Sequence, residues 1–151
     1  MDVNKQYAKL ATEYLHNDKK DLIWVHDTYM LLVPYFLRTQ NINAKIGLSL
    51  HAPFPSSDIY KTFLYRIEVL KSMMCCDLIS FHIFESAKCF YVSASRTLGC
   101  NPVFKKGGVI VVQSHGREVM LRVSHIAIDL ADLQVSMSLP EFQKSKKNLS
   151  S

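Results

Sequence analysis

Three histidines stand where apolar, β-rich runs end: "VHD" at 25–27, "LHA" at 50–52 and "FHI" at 81–83. Imidazole both donates and accepts hydrogen bonds and carries a proton near neutral pH. With the Asp27 carboxylate beside the first of them, such a set could orient the hydroxyls of a sugar or move a proton in catalysis. A single histidine at a loop start is explained equally well by a hydrogen bond that holds the loop. Three in register are harder to explain that way, though the residues alone leave both chemical tasks open.

Register demands elements that deliver it. "DLIWV" at 21–25 is too short and too rich in β-formers for a helix, and "AKIGLSLH" at 44–51 and "DLISF" at 77–81 read the same way. Helical spacing follows each run, in "TYMLLVPYFLRTQ", in "DIYKTFLYRIEVLKSMMCC" and in "ESAKCFYVSASRTLG", where Gly99 suits a helix C-cap. Pro34 is expected either in a first helical turn or at a kink. An earlier helix is predicted over 4–16, with Tyr7, Leu10, Ala11 and Tyr14 on one face. Strand and helix thus alternate three times, which predicts an α/β fold with parallel strands, right-handed crossovers and helices on both faces. In such sheets ligands bind at the carboxyl ends of the strands, the edge that receives all three histidines.

The loop after the second strand, "HAPFPSSDIY", is built to be stiff. Pro53 and Pro55 fix their own φ angles and keep Ala52 and Phe54 out of the helical region. Ser56 or Ser57 is expected to cap the next helix, with Asp58 near its positive end. Past Gly99 the pattern changes: 105–124 holds two β-rich runs around "QSHGRE", a hairpin with Gly116 at its turn. A short helix is expected over "LADLQ", and a further helix start with Ser138 as N-cap and Glu141 completing a capping box.

Length and composition limit the choices. One domain is the default for 151 residues, 48% of them hydrophobic. No apolar run reaches the roughly 18 residues of a membrane span, and the N-terminus lacks an apolar signal region, so a soluble, cytoplasmic chain without a membrane partner is expected. The net charge of +5 is spread thinly except in the tail at 143–148, which predicts a solvated end and no nucleic-acid partner. Cys75, Cys76, Cys89 and Cys100 lack the CxxC spacing of zinc and redox sites, so reduced, mostly buried thiols are expected, with neither metal nor cofactor.

Several stretches carry a family resemblance. "WVHD" followed by "LLVPYFLR", then "KIGLSLHAPFPSSDIYKTF", "DLISFHIFESAKCF", and "SRTLG" followed by a "GREV" strand resemble the N-terminal half of trehalose-6-phosphate synthases, in order, over residues 5 to 140. The LHxPFPSS(D/E)IY stretch is the most specific, and "IDLADLQVSMSLP" is similar to the plant type, in which a phosphatase-like domain often follows. The resemblance implies a Rossmann-like three-layer sandwich with a mostly parallel sheet. Residues 1–151 would form a single partial domain of a two-Rossmann-domain (GT-B type) glycosyltransferase, with the second, nucleotide-binding domain absent.

The implied reaction moves glucose from UDP-glucose to glucose 6-phosphate with retention and without a metal, and association with other synthase subunits is among the partners it suggests. The implied catalytic residues are Asp27, matching the carboxylate that contacts glucose 6-phosphate, and His51, matching the histidine beside the donor glucose. His82 and Ala52 are implied substrate contacts.

Departures are also visible. The family's HDYH reads HDTY, with Tyr29 for histidine, and GFHT reads SFHI, with Ser80 for glycine. Lys88 stands for an arginine whose bidentate fork it cannot reproduce. His125 and Ala127 replace a proline and a glycine, and Leu64 another proline. The family's glycine-rich donor loop, its acceptor-phosphate clasp and its diphosphate-binding arginine and lysine have no counterpart in these residues, so the chain by itself is expected not to make trehalose 6-phosphate. A non-catalytic relative that senses sugar phosphate or binds a protein is the alternative. Faces that would pack on the remainder of a domain should be exposed and cause association.

Overall fold

The structure is a computed structural model that describes residues 2–16, 20–114, 116–125, 129–140 and 142. Ala127, Glu141 and the basic stretch 143–148, each part of the expectations above, lie outside the described residues. Element order is α1 (Asp2–Glu13), β1 (Leu22–His26), a 3-10 turn (Thr28–Met30), α2 (Val33–Thr39), β2 (Lys45–Leu50), α3 (Ser57–Tyr60), α4 (Arg66–Met73), β3 (Leu78–Phe81), α5 (Phe84–Leu98), β4 (Asn101–Lys105), β5 (Val109–Ser114), β6 (Arg117–Val123) and α6 (Leu130–Ser138).

The strands form one six-stranded sheet in the order β1-β2-β3-β6-β5-β4. β1, β2, β3 and β6 run parallel, and β5 and β4 continue the sheet antiparallel. The mostly parallel α/β arrangement is thus present. Pro34 sits in the first turn of α2, where its missing N–H costs no helical bond. Gly99 ends α5 at φ 70°, a left-handed conformation that glycine adopts without penalty.

Side chains alternate across the sheet. Val25, Ile46, Leu48, Leu50, Ile79, Phe81, Ile110, Val112, Val119 and Leu121 form one buried face. Over it α5 lies against β3, β6 and β4, α4 against α5, α2 against α4 and α1 against α2. On the opposite face a transverse row of register partners runs through Trp24, Gly47, Leu78, Met120, Val111 and Val103, and Trp24 and Met120 in it are 42% and 44% exposed. Gly47 lets the Trp24 ring lie flat on β2, because a Cβ there would overlap the ring.

Three local expectations are corrected. β4 was not foreseen, since Pro102 within a short run argues against a strand; as the outermost strand, β4 tolerates a residue that has no N–H to give. The single helix expected over 58–76 is broken into α3 and α4 by the segment between Tyr60 and Arg66. Helical residues do follow α6, at Pro140 and Phe142, but Ser138 does not cap them: it ends α6, its Oγ donating to the Val135 carbonyl. α6 itself is capped by Asp129, which accepts from the Ala131 N–H.

The opposite end of the parallel strands is tied by charge. Arg38 donates to the carbonyls of Ile42, Ala44 and Cys75 and pairs with Asp77 at 2.9 Å. Asp77 in turn accepts from the Ile46 N–H, so one half-buried ion pair joins α2, β2 and β3. All four cysteines are unpaired, and burial pushes the Cys76 thiol well above the usual thiol range.

Candidate functional site

β1, β2 and β3 are adjacent and parallel, so their carboxyl ends open on one rim. The ladder continues one residue past β1, where the Asp27 N–H donates to the Ser49 carbonyl at 2.8 Å. It continues likewise past β6, where the Ser124 N–H donates to Phe81 at 2.9 Å. These two extensions fix the chain where it turns away from the sheet, and the histidines project from the turns.

His26, His51 and His82 are in contact. His51 Nδ1 lies 2.9 Å from His82 Nε2, His51 Nε2 lies 3.4 Å from His26 Nδ1, and His82 Nδ1 lies 3.2 Å from the Ser124 carbonyl oxygen. The rings of His26 and His51 are nearly parallel, with centroids 5.7 Å apart. His26 and His51 are exposed and His82 is half-buried, so the cluster faces solvent.

Asp27 stands on the same rim but is turned differently. Its backbone adopts φ 63° and ψ −176°, a region that favours glycine, and its carboxylate accepts from the Thr28 N–H at 3.0 Å. The strained turn aims the carboxylate at the start of the 3-10 segment. Ala52 is exposed beside His51 at the start of the proline loop. The structure thus joins His51 to His82 directly, with Ala52 next to His51 and Asp27 next to His26 along the chain.

The proline loop is held by its phenylalanine. Phe54 is buried against Tyr60, Phe81 and Phe90, with ring centroids 4.9, 6.4 and 5.5 Å away, and its N–H donates to Ser86 Oγ on α5. Ser56 occupies the N-cap position of α3, but backbone carbonyls rather than its hydroxyl serve the turn. Ser57 Oγ instead accepts from Arg96 at 2.7 Å.

Two residues escaped the sequence reading. Ser124 contributes only a backbone carbonyl, which no side-chain pattern announces. Arg122 is exposed and aligns across the sheet with Ser80, Ser49 and His26, so a cation stands one row short of the terminal Leu50–Phe81–Val123 row; its position two residues before the end of a β-rich run was the available signal. Lys88 points outward from α5 and pairs with Glu85. A separate cleft of about 520 Å³, lined by Asn4, Thr28, Tyr29, Phe63, Tyr65 and Glu68 among others, opens beside the 3-10 turn, but no histidine lines it. Chemically the rim offers directional acceptors and donors for hydroxyls, and among the described residues no group of side chains is arranged to hold a metal ion.

The family model for glycosyltransferase family 20 matches residues 1–151. Alpha,alpha-trehalose-phosphate synthase [UDP-forming] 6 of Arabidopsis thaliana is 38% identical over 144 residues, which is 95% of this chain and 16% of that protein. The chain therefore spans about a sixth of that relative's length. Among solved structures, the N-terminal domain of Candida albicans trehalose-6-phosphate phosphatase is 29% identical with a TM-score of 0.80, over 97% of this chain and 30% of its own. The Burkholderia xenovorans alpha,alpha-trehalose-phosphate synthase in complex with glucose-6-phosphate shares the fold, with a TM-score of 0.82 at 22% identity, over 99% of this chain and 34% of its own.

Proposed function

Because the chain belongs to glycosyltransferase family 20, we propose that it is part of a trehalose-6-phosphate synthase that moves glucose from UDP-glucose to glucose 6-phosphate. The observation that carries this reading is the meeting of His51, from the family-specific LHxPFPSS stretch, with His82 on one solvent-facing rim. In this reading His51 and Ala52 lie against the donor glucose and Asp27 orients the acceptor sugar, and residues 1–151 form one partial domain. Retaining transfer needs the two sugars aligned and the charge on the departing phosphate stabilised. The rim suits alignment. Charge stabilisation of a departing diphosphate calls for more than the one cation, Arg122, that stands in register with His26, so in this reading the chain alone is inactive. Unpaired thiols support a reducing compartment such as the cytoplasm. No helix among the described residues is long and apolar enough to cross a membrane.

The test is isotope-edited NMR of the 151-residue chain with each sugar added separately. UDP-glucose should shift the amides of His51 and Ala52, and glucose 6-phosphate those of Asp27 and Thr28. Shifts confined to other surfaces, or none at saturating sugar, remove the reading. Turnover with both sugars present, abolished by Asp27→Ala, would overturn the predicted inactivity.

A second reading is a non-catalytic module that senses sugar phosphate or binds a protein partner. It is favoured by the similarity to the N-terminal domain of a protein named as a phosphatase, a different reaction from synthesis. Sugar-phosphate binding without any dependence on UDP-glucose is its signature in the same titration.

A further inference from the structure

The contacts at the rim form a chain with a direction. A carbonyl oxygen only accepts, so His82 Nδ1, 3.2 Å from the Ser124 oxygen, carries the hydrogen. A neutral imidazole has one N–H, which leaves His82 Nε2 as a bare lone pair. The His51 Nδ1 at 2.9 Å from it is then the donor, and His51 Nε2 is bare in turn. His26 Nδ1 faces that atom at 3.4 Å, long for a hydrogen bond and the weakest link of the three. Run in the opposite direction, the chain would set a lone pair of His82 against the lone pairs of the Ser124 carbonyl.

The geometry points to His82 as a positioning residue: backed by the Ser124 carbonyl, it holds His51 in the Nδ1–H tautomer, so that His51 meets a ligand with a lone pair on Nε2. Which imidazole nitrogen bears hydrogen is set by the partner of the other nitrogen. An acceptor atom of this kind takes a hydroxyl of an uncharged sugar ring, which displaces the loose His26 contact, and it opposes a phosphate oxygen. The sugar part rests on the donor-glucose reading above; the tautomer chain depends only on this chain's own residues.

The experiment is long-range hydrogen–nitrogen correlation NMR of the uniformly nitrogen-labelled chain without ligand, well above the ordinary imidazole pKa of about 6.5. His51 and His82 should each show a protonated-type Nδ1 and a bare-type Nε2. A protonated-type Nε2 on either residue overturns the proposal, whatever the sugar titrations report. In His82→Phe, which keeps a ring but removes the acceptor, the His51 nitrogens should move toward the averaged signals of two exchanging tautomers. His82→Gln, whose amide oxygen still accepts, should restore the wild-type pattern. If His82 serves packing alone, His51 keeps its tautomer in both variants, and the proposal fails. The unsubstituted chain decides the matter even if a variant does not fold.

Discussion

Asp27 holds a carboxylate on a backbone that prefers glycine, at φ 63° and ψ −176°, and such a conformation costs on the order of 1–3 kcal/mol. The side chain recovers part of that cost by accepting from the Thr28 N–H. Asp27→Ala keeps the strain and loses the acceptor, so a loss of about 0.5–2 kcal/mol is expected, in the range of a removed cap. Asp27→Gly loses the same acceptor but relaxes the backbone, and it should unfold at a higher temperature or denaturant concentration than the alanine variant. An alanine variant more stable than the glycine variant would show that Asp27 is unstrained, because glycine alone would then add only unfolded-chain entropy. None of this is visible in "VHD": a sequence names the residue at a turn but not the φ angle that the neighbouring ladder imposes. The histidine chain was half legible. Three imidazoles at strand ends could be counted, whereas the contact order through His51 and the Ser124 carbonyl needs the sheet register.

At the scale of elements, the proline loop is anchored by one side chain. Phe54 packs among Tyr60, Phe81 and Phe90, and Phe54→Ala should cost about 3–5 kcal/mol as a buried aromatic truncation, measured by denaturant unfolding. The same substitution should broaden the His51 and Ala52 signals, because the loop that carries them loses its attachment to the helical layer. A loop stiff from its prolines alone would leave those signals sharp. The rim strands could be read from the sequence because each is a short β-rich run followed by 3.6-residue periodicity. β4 could not, because Pro102 is a contrary signal whose harmlessness depends on the edge position. The break between α3 and α4 was missed for the opposite reason: "KTFLYR" contains neither glycine nor proline, so no local residue marks it.

Across the whole molecule, helices cover one face of the sheet, while Leu22, Trp24 and Met120 remain 60%, 42% and 44% exposed on the other. Exposed apolar surface of this kind drives association, so the apparent mass by light scattering should rise with protein concentration, and polar substitutions at Leu22 and Met120 should lower it. A monodisperse monomer at all concentrations would mean that the flat Trp24 ring and the Lys105–Glu118 ion pair suffice to shield the face. The alternation of strand and helix predicted helices on both faces, but not that α1, α2, α4 and α5 would gather over one of them; crossover handedness and helix packing decide that. Trp24 is also the chain's single tryptophan. Its indole on the bare side of the sheet is therefore an intrinsic optical reporter: whatever settles there shields it from water and moves its fluorescence to shorter wavelength, with no label attached.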